Sequence, residues 1–99
     1  MPFMEQMANI GSEVGRTSKW VNKNKPKMAE SAFLRALELI DLTIMHGRLN
    51  SPLRSSMLRE LCRIRESFCG AYESSDILTL DWLDKYFATF AVALRKNIS

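Results

Sequence analysis

The chain has 99 residues, an apolar share of 46% and a net charge of +3, from 14 basic against 11 acidic side chains. This length allows one small domain, and this balance of apolar and charged residues is ordinary for a soluble globular protein. The basic excess permits an acidic partner without requiring one, because dedicated nucleic-acid binders concentrate more charge on one face.

The amino-terminal stretch "MPFMEQMANIGSEVG" lacks the basic start and the continuous apolar core of a signal peptide. No apolar run in the chain reaches the length that a membrane span requires. We therefore predict a cytoplasmic protein that does not enter a membrane.

Apolar residues recur at helical spacing along the chain, and no segment keeps the strict alternation of a half-buried strand. The spacing predicts helices over residues 4–22, 28–46, 53–71 and 80–97. Four helices joined by short loops favour an antiparallel up-and-down four-helix bundle, an all-α fold in which residues 1–99 form a single domain.

Helix-breaking residues separate these four segments. Pro26 ends the first break, because proline cannot continue a helix. In the second break, Gly47 is placed as a helix stop, and Ser51 followed by Pro52 as a helix start. In the third, Thr79 is the predicted N-cap of the last helix.

The first helix carries two glycines one turn apart, Gly11 and Gly15. A glycine inside a helix costs about 1 kcal/mol relative to alanine, so some contact should offset the loss. A groove of small side chains lets another helix approach closely, and we expect that helix to be the second one or a helix of a partner chain. The alternative is a first helix that is weak or kinked.

The turn "KWVNKNKPK" places Lys19, Lys23, Lys25 and Lys27 around Trp20. Cations are favourable at a helix carboxyl end, so a solvated turn is the simpler interpretation. The alternative is a contact surface for an anion or a nucleic acid, which would need further basic residues nearby. The acidic stretch "YESSD" shares this end of a bundle and argues against an extended basic stripe.

The second helix is apolar nearly all round. Leu34, Leu42 and Met45 fall on the side opposite its main apolar face, among acidic residues. A helix of this kind is usually buried on both sides, so we predict that these three residues belong to a homodimer interface. The alternative is three separately exposed apolar residues, which are common on surfaces.

Arg65 lies near the middle of the apolar arc of the third helix. A buried guanidinium needs a carboxylate, because a lone buried charge is very unfavourable. We expect Asp41 or Glu38 to supply it, and an anion-binding role for Arg65 is the alternative.

The sequence shows no catalytic constellation. His46 has no nucleophile placed beside it by any motif, and no phosphate-binding loop occurs. Cys62 and Cys69 are too far apart on a helix for a disulfide, and they are too few for a zinc site. We predict no cofactor and no metal.

The stretch "GRTSKWVNKNKPKMAESAFLRALELIDLTI", residues 15–44, resembles the helix-turn-helix half of the HEPN-type four-helix proteins that accompany minimal nucleotidyltransferases. It also resembles short bacterial helical proteins with an arginine-rich third helix. Active HEPN ribonucleases carry an arginine followed by a histidine near the end of the chain. Here the last segment contains Arg95 but no histidine, so the resemblance implies a binding or assembly role rather than a nuclease.

These observations leave three functional hypotheses. The first is a non-catalytic helical bundle that self-associates and acts as an interaction or accessory subunit, with a protein partner. The second is a nucleic-acid- or nucleotide-associated module that uses the basic turn. The third, which we favour least, is an enzyme with a site at an oligomer interface around Arg65 or His46.

Overall fold

The computed structural model describes residues 2–50 and 55–98, and within them the chain is a bundle of α-helices. The helices are α1 (Phe3–Asn22), α2 (Pro26–Asn50), α3 (Ser55–Glu73) and α4 (Ile77–Ile98). Each helix packs against its neighbour in the chain, and α4 packs back against α1. Across the described residues no close backbone contact joins the diagonal pairs, α1 with α3 and α2 with α4. The predicted all-α four-helix bundle is confirmed.

The turn between α1 and α2 closes the first helix with its own backbone. Asn24 takes a positive φ of 55°, which reverses the chain direction. The N–H of Lys25 then donates to the carbonyl of Trp20 at 2.9 Å, and the N–H of Asn24 donates to Val21 at 3.1 Å. This pair of bonds is a Schellman motif. Pro26 follows as the first residue of α2, where its missing N–H leaves no helix bond unmade.

The turn between α3 and α4 repeats this geometry. Ser75 has a φ of 54°, and the two closing backbone hydrogen bonds measure 2.8 and 3.2 Å. The N-cap of α4 is Asp76, whose carboxylate accepts bonds from the hydroxyl and the N–H of Thr79 at 2.7 and 3.2 Å. These bonds hold the pKa of Asp76 below its usual value. The prediction of Thr79 as the cap is wrong, since Thr79 lies in the first turn of the helix.

The carboxyl end of α2 also departs from expectation. Gly47 does not stop the helix but is buried within it, and α2 continues to Asn50. One glycine costs a helix only about 1 kcal/mol, which the packing of Thr43 and Ile44 in the same segment can offset. The predicted helix start at Ser51 and Pro52 lies outside the described residues.

The core receives apolar side chains from all four helices. The largest ones with no exposed surface are Met7, Ile10, Ile40, Leu61, Phe68, Leu80, Leu83 and Phe87. Phe33 stacks on Tyr72 with ring centroids 3.9 Å apart, so α2 and α3 meet through aromatic rings. None of the helices, over the residues described, is both long and apolar enough to cross a bilayer.

The small-residue groove of α1 is occupied within the chain, by α4. A Cβ atom added at Gly11 would stand 2.7 Å from the Cβ of Phe87, and one added at Gly15 would stand 2.8 Å from Oδ1 of Asp84. The expectation that α2 fills this groove is wrong. Because α4 covers both glycines, they do not form a free surface for self-association in this fold.

This close contact predicts opposite effects of alanine at two glycines. Gly11→Ala should destabilise the protein by about 1–3 kcal/mol, because Phe87 and the α4 backbone must shift to admit the new methyl group. Gly70→Ala on α3 meets no atom within 4 Å, so its gain in helix propensity should stabilise the protein by up to about 1 kcal/mol. Urea unfolding of both variants measures the difference. Equal shifts in the same direction would contradict the close α1–α4 approach.

Candidate binding surfaces

The basic turn surrounds one indole ring. The ammonium groups of Lys19 and Lys23 lie 4.9 and 5.8 Å from the ring centroid of Trp20, in cation–π geometry. Lys25 and Lys27 are exposed on the two sides of Pro26. Trp20 itself is half-buried.

A cleft of about 480 Å³ separates the two described turns. Trp20 and Lys25 line it from one side, and Tyr72, Glu73 and Ser75 line it from the other. Glu73 belongs to the acidic stretch that sequence reasoning placed at this end. The cleft is therefore of mixed charge, and the acidic side chain offsets part of the positive potential of the lysines.

A second groove, of about 420 Å³, runs between α1 and α2 on the other side of Trp20. We call it the arginine groove, since Arg16 and Arg35 stand on its two sides. The carboxylate of Glu13, only 8% exposed, accepts a bond from Nη1 of Arg16 at 3.1 Å and lies 3.2 Å from Nε of Arg35. With Lys27 on its rim, the groove holds three cations and one anion, a surplus of two positive charges.

Sequence reasoning missed the arginine groove. A signal existed for Arg16, which lies one helical turn before Trp20 and so shares its face of α1. No local signal pointed to Arg35, which comes from α2 and reaches Glu13 across the helix–helix contact. The buried carboxylate was equally hidden, because glutamates at helical spacing usually face solvent.

The outer face of α2 carries four exposed apolar side chains around the exposed Glu38. Leu34, Leu42 and Met45 are each about half exposed, and Leu49 is 76% exposed. At 3.6 residues per turn these four side chains fall within an arc of about 80°. We call this arc the α2 stripe, and it is apolar surface that the chain does not cover by itself.

A second group of exposed apolar residues lies on α4. Leu78, Trp82 and Val92 are exposed, and the ring of Trp82 stacks on Tyr86 with centroids 5.8 Å apart. Since α2 and α4 are diagonal in the bundle, this surface faces away from the α2 stripe. Contacts at one of these faces therefore leave the other accessible.

Arg65 pairs with Asp41, one of the two carboxylates expected for it. Nε of Arg65 donates to Oδ1 of Asp41 at 2.6 Å, and Nη2 donates to Oδ2 at 3.4 Å. This hydrogen bond raises the pKa of Arg65. The expectation of a buried charge is wrong, because the side chains are 39% and 54% exposed. The pair lies at the edge of the α2–α3 contact, where both groups keep access to water.

An exposed pair of this kind predicts little loss when one member is removed. Arg65→Leu should change the free energy of unfolding by no more than about 1 kcal/mol, and Asp41→Asn should do the same, because water screens the pair. Chemical denaturation measures both changes. A loss of about 3 kcal/mol or more would indicate a desolvated charge and would contradict this interpretation.

The described residues contain no group of histidine, cysteine, aspartate or glutamate side chains able to hold a metal ion. Cys62 and Cys69 are free and half-buried, and burial raises the pKa of the Cys69 thiol, which disfavours the reactive thiolate. Comparison of the chain with protein-family models, with curated proteins and with solved structures gives no match.

Proposed function

We propose that this chain is a non-catalytic helical bundle that self-associates through the α2 stripe and acts as an interaction or accessory subunit. The observation that carries the proposal is the exposure of Leu34, Leu42, Met45 and Leu49 together on one face of one helix. Apolar side chains gathered on one face of a helix are stabilised when another surface covers them.

One charge pair beside the α2 stripe favours an antiparallel pair of α2 helices, while the same register sets Glu38 opposite Leu49 of the partner subunit. When Leu42 lies opposite Met45 of the partner subunit, the antiparallel heptad register places Asp41 next to Arg48 of the partner subunit. Both side chains are exposed in the chain alone. A two-fold axis repeats each contact, so one apolar pair and one charge pair each occur twice in the interface.

The solution mass tests this proposal directly. Wild type should be a dimer by light scattering behind a sizing column, and Leu42→Glu should be a folded monomer. Two copies of Leu42 each lose about 1.5–3 kcal/mol of burial, so dimerisation should weaken on the order of 100-fold or more.

Leu78→Glu is the matched control, since Leu78 is an exposed leucine on the opposite side of the bundle and should not alter the mass. Arg48→Glu should also weaken the dimer, because it faces Asp41 of the partner subunit with like charge. A monomeric wild type at micromolar concentration would refute self-association, and dissociation by Leu78→Glu alone would move the interface to α4.

A further inference from the structure

The arginine groove has the properties of a preorganised anion site. Glu13 is buried at the floor between α1 and α2, and its Oε2 holds Nη1 of Arg16 and Nε of Arg35. A buried carboxylate is stable only when cations pair with it. Glu13 therefore holds one guanidinium group of α1 and one of α2 in place. Both arginine side chains are mostly exposed, which leaves the rest of each planar fork directed to solvent.

The charge of the groove exceeds what Glu13 requires. Arg16, Arg35 and Lys27 against one carboxylate give a surplus of two positive charges within one concave surface of about 420 Å³. Arginine forks match the oxygens of a phosphate group, and the three cations repel one another when no anion lies between them. A ligand with one or more phosphates removes this repulsion.

The aromatic wall of the groove restricts the ligand further. Trp20 lines the groove together with Lys27, and Lys19 and Lys23 lie near its ring. Indole rings stack on nucleobases, and a base stacked on an aromatic side chain contributes about 1–3 kcal/mol. Phosphate contacts and a stacking ring side by side are the combination found where proteins bind single-stranded nucleic acid.

We propose that the arginine groove binds a phosphate-bearing ligand through Arg16, Arg35 and Lys27, and that a planar base of this ligand stacks on Trp20. The same chemistry occurs in a free nucleotide and in a single strand of nucleic acid. The proposal does not rest on self-association, because no residue of the groove belongs to the α2 stripe, although Leu34 of the stripe lies beside Arg35 of the groove. The sequence alone pointed to an anion contact at the turn between α1 and α2. The proposed site lies instead in the groove between the two helices and shares only Trp20 and Lys27 with that prediction.

Fluorescence of Trp20 tests the proposal. The chain has two tryptophans, so Trp82→Phe leaves Trp20 as the only reporter. This protein is titrated at low salt with a short oligouridylate, with adenosine triphosphate and with polyglutamate. The oligouridylate should quench Trp20, and its binding constant should fall with salt with a slope of roughly −2 on logarithmic axes, from three cations at about 0.7 each.

Three variants locate the site. Arg16→Gln/Arg35→Gln should weaken binding at least about tenfold and reduce the salt slope to roughly −0.7. Arg59→Gln/Arg63→Gln on α3 removes the same charge from exposed positions outside the groove and should leave the affinity within about twofold. Since the first variant leaves Glu13 without partners and could unfold, the exposed Lys27→Gln serves as a milder test and should reduce the slope by about 0.7.

The three titrated ligands distinguish a nucleotide site from a single-strand site, and both from nonspecific binding of anions. Quenching by adenosine triphosphate as strong as that by the oligouridylate identifies a nucleotide site, and quenching by the oligouridylate alone identifies a single-strand site. Absence of quenching by both overturns the proposal. Polyglutamate binding as tight as that of the oligouridylate would also overturn it. So would an equal loss of oligouridylate affinity in the Arg59→Gln/Arg63→Gln control, or a larger loss in Lys23→Gln/Lys25→Gln than in Arg16→Gln/Arg35→Gln.

Discussion

The rest of the bundle depends on how closely α1 approaches α4. At Gly11 there is no room for a methyl group, since its Cβ would stand 2.7 Å from that of Phe87. This contact brings α1 into the centre of the helix arrangement, where it packs against both α2 and α4, while α3 touches its neighbours along narrower contacts. A glycine that weakens α1 as an isolated helix therefore strengthens the fold, because close packing adds dispersion contacts along both helices.

The position of α1 also decides which charges are buried. As α1 lies against α2, Glu13 is enclosed and can be stabilised only by cations that reach it from the edge of the contact. Arg16 comes from its own helix and Arg35 from the next, so the carboxylate links the two helices. At the looser α2–α3 contact, by contrast, Asp41 and Arg65 pair in water. The ion pairs of Glu13 and of Asp41 thus differ in burial, because α1 and α2 lie closer together than α2 and α3.

Among the described residues, the α2 stripe, the apolar residues of α4 and the arginine groove all lie outside the core, and the α4 surface is apart from the two that α2 carries. The α2 stripe faces outward from one helix, the apolar residues of α4 face the opposite way, and the arginine groove lies between α1 and α2 near the Lys19–Lys27 turn. A second copy on the α2 stripe would leave the α4 surface accessible, because α2 and α4 are diagonal in the bundle. Self-association and anion binding are accordingly separate proposals with separate variants.

The amino-acid sequence by itself determined the helices, the breaks at Pro26 and near residue 75, and the apolar residues of α2 that the core does not use. These follow from local rules: the 3.6-residue period of a helix, the inability of proline to continue a helix, and the presence of apolar residues on two sides of α2. Local rules failed at two helix ends. Gly47 is buried within α2, which continues past it. Asp76, rather than Thr79, caps α4 with its carboxylate. Only the tertiary structure decided that α4 fills the glycine groove, that Arg65 stays in water and that Arg35 joins Arg16 at Glu13. Each of these depends on which helices are neighbours and on the distance between them. The helical period of the sequence carries no information on either.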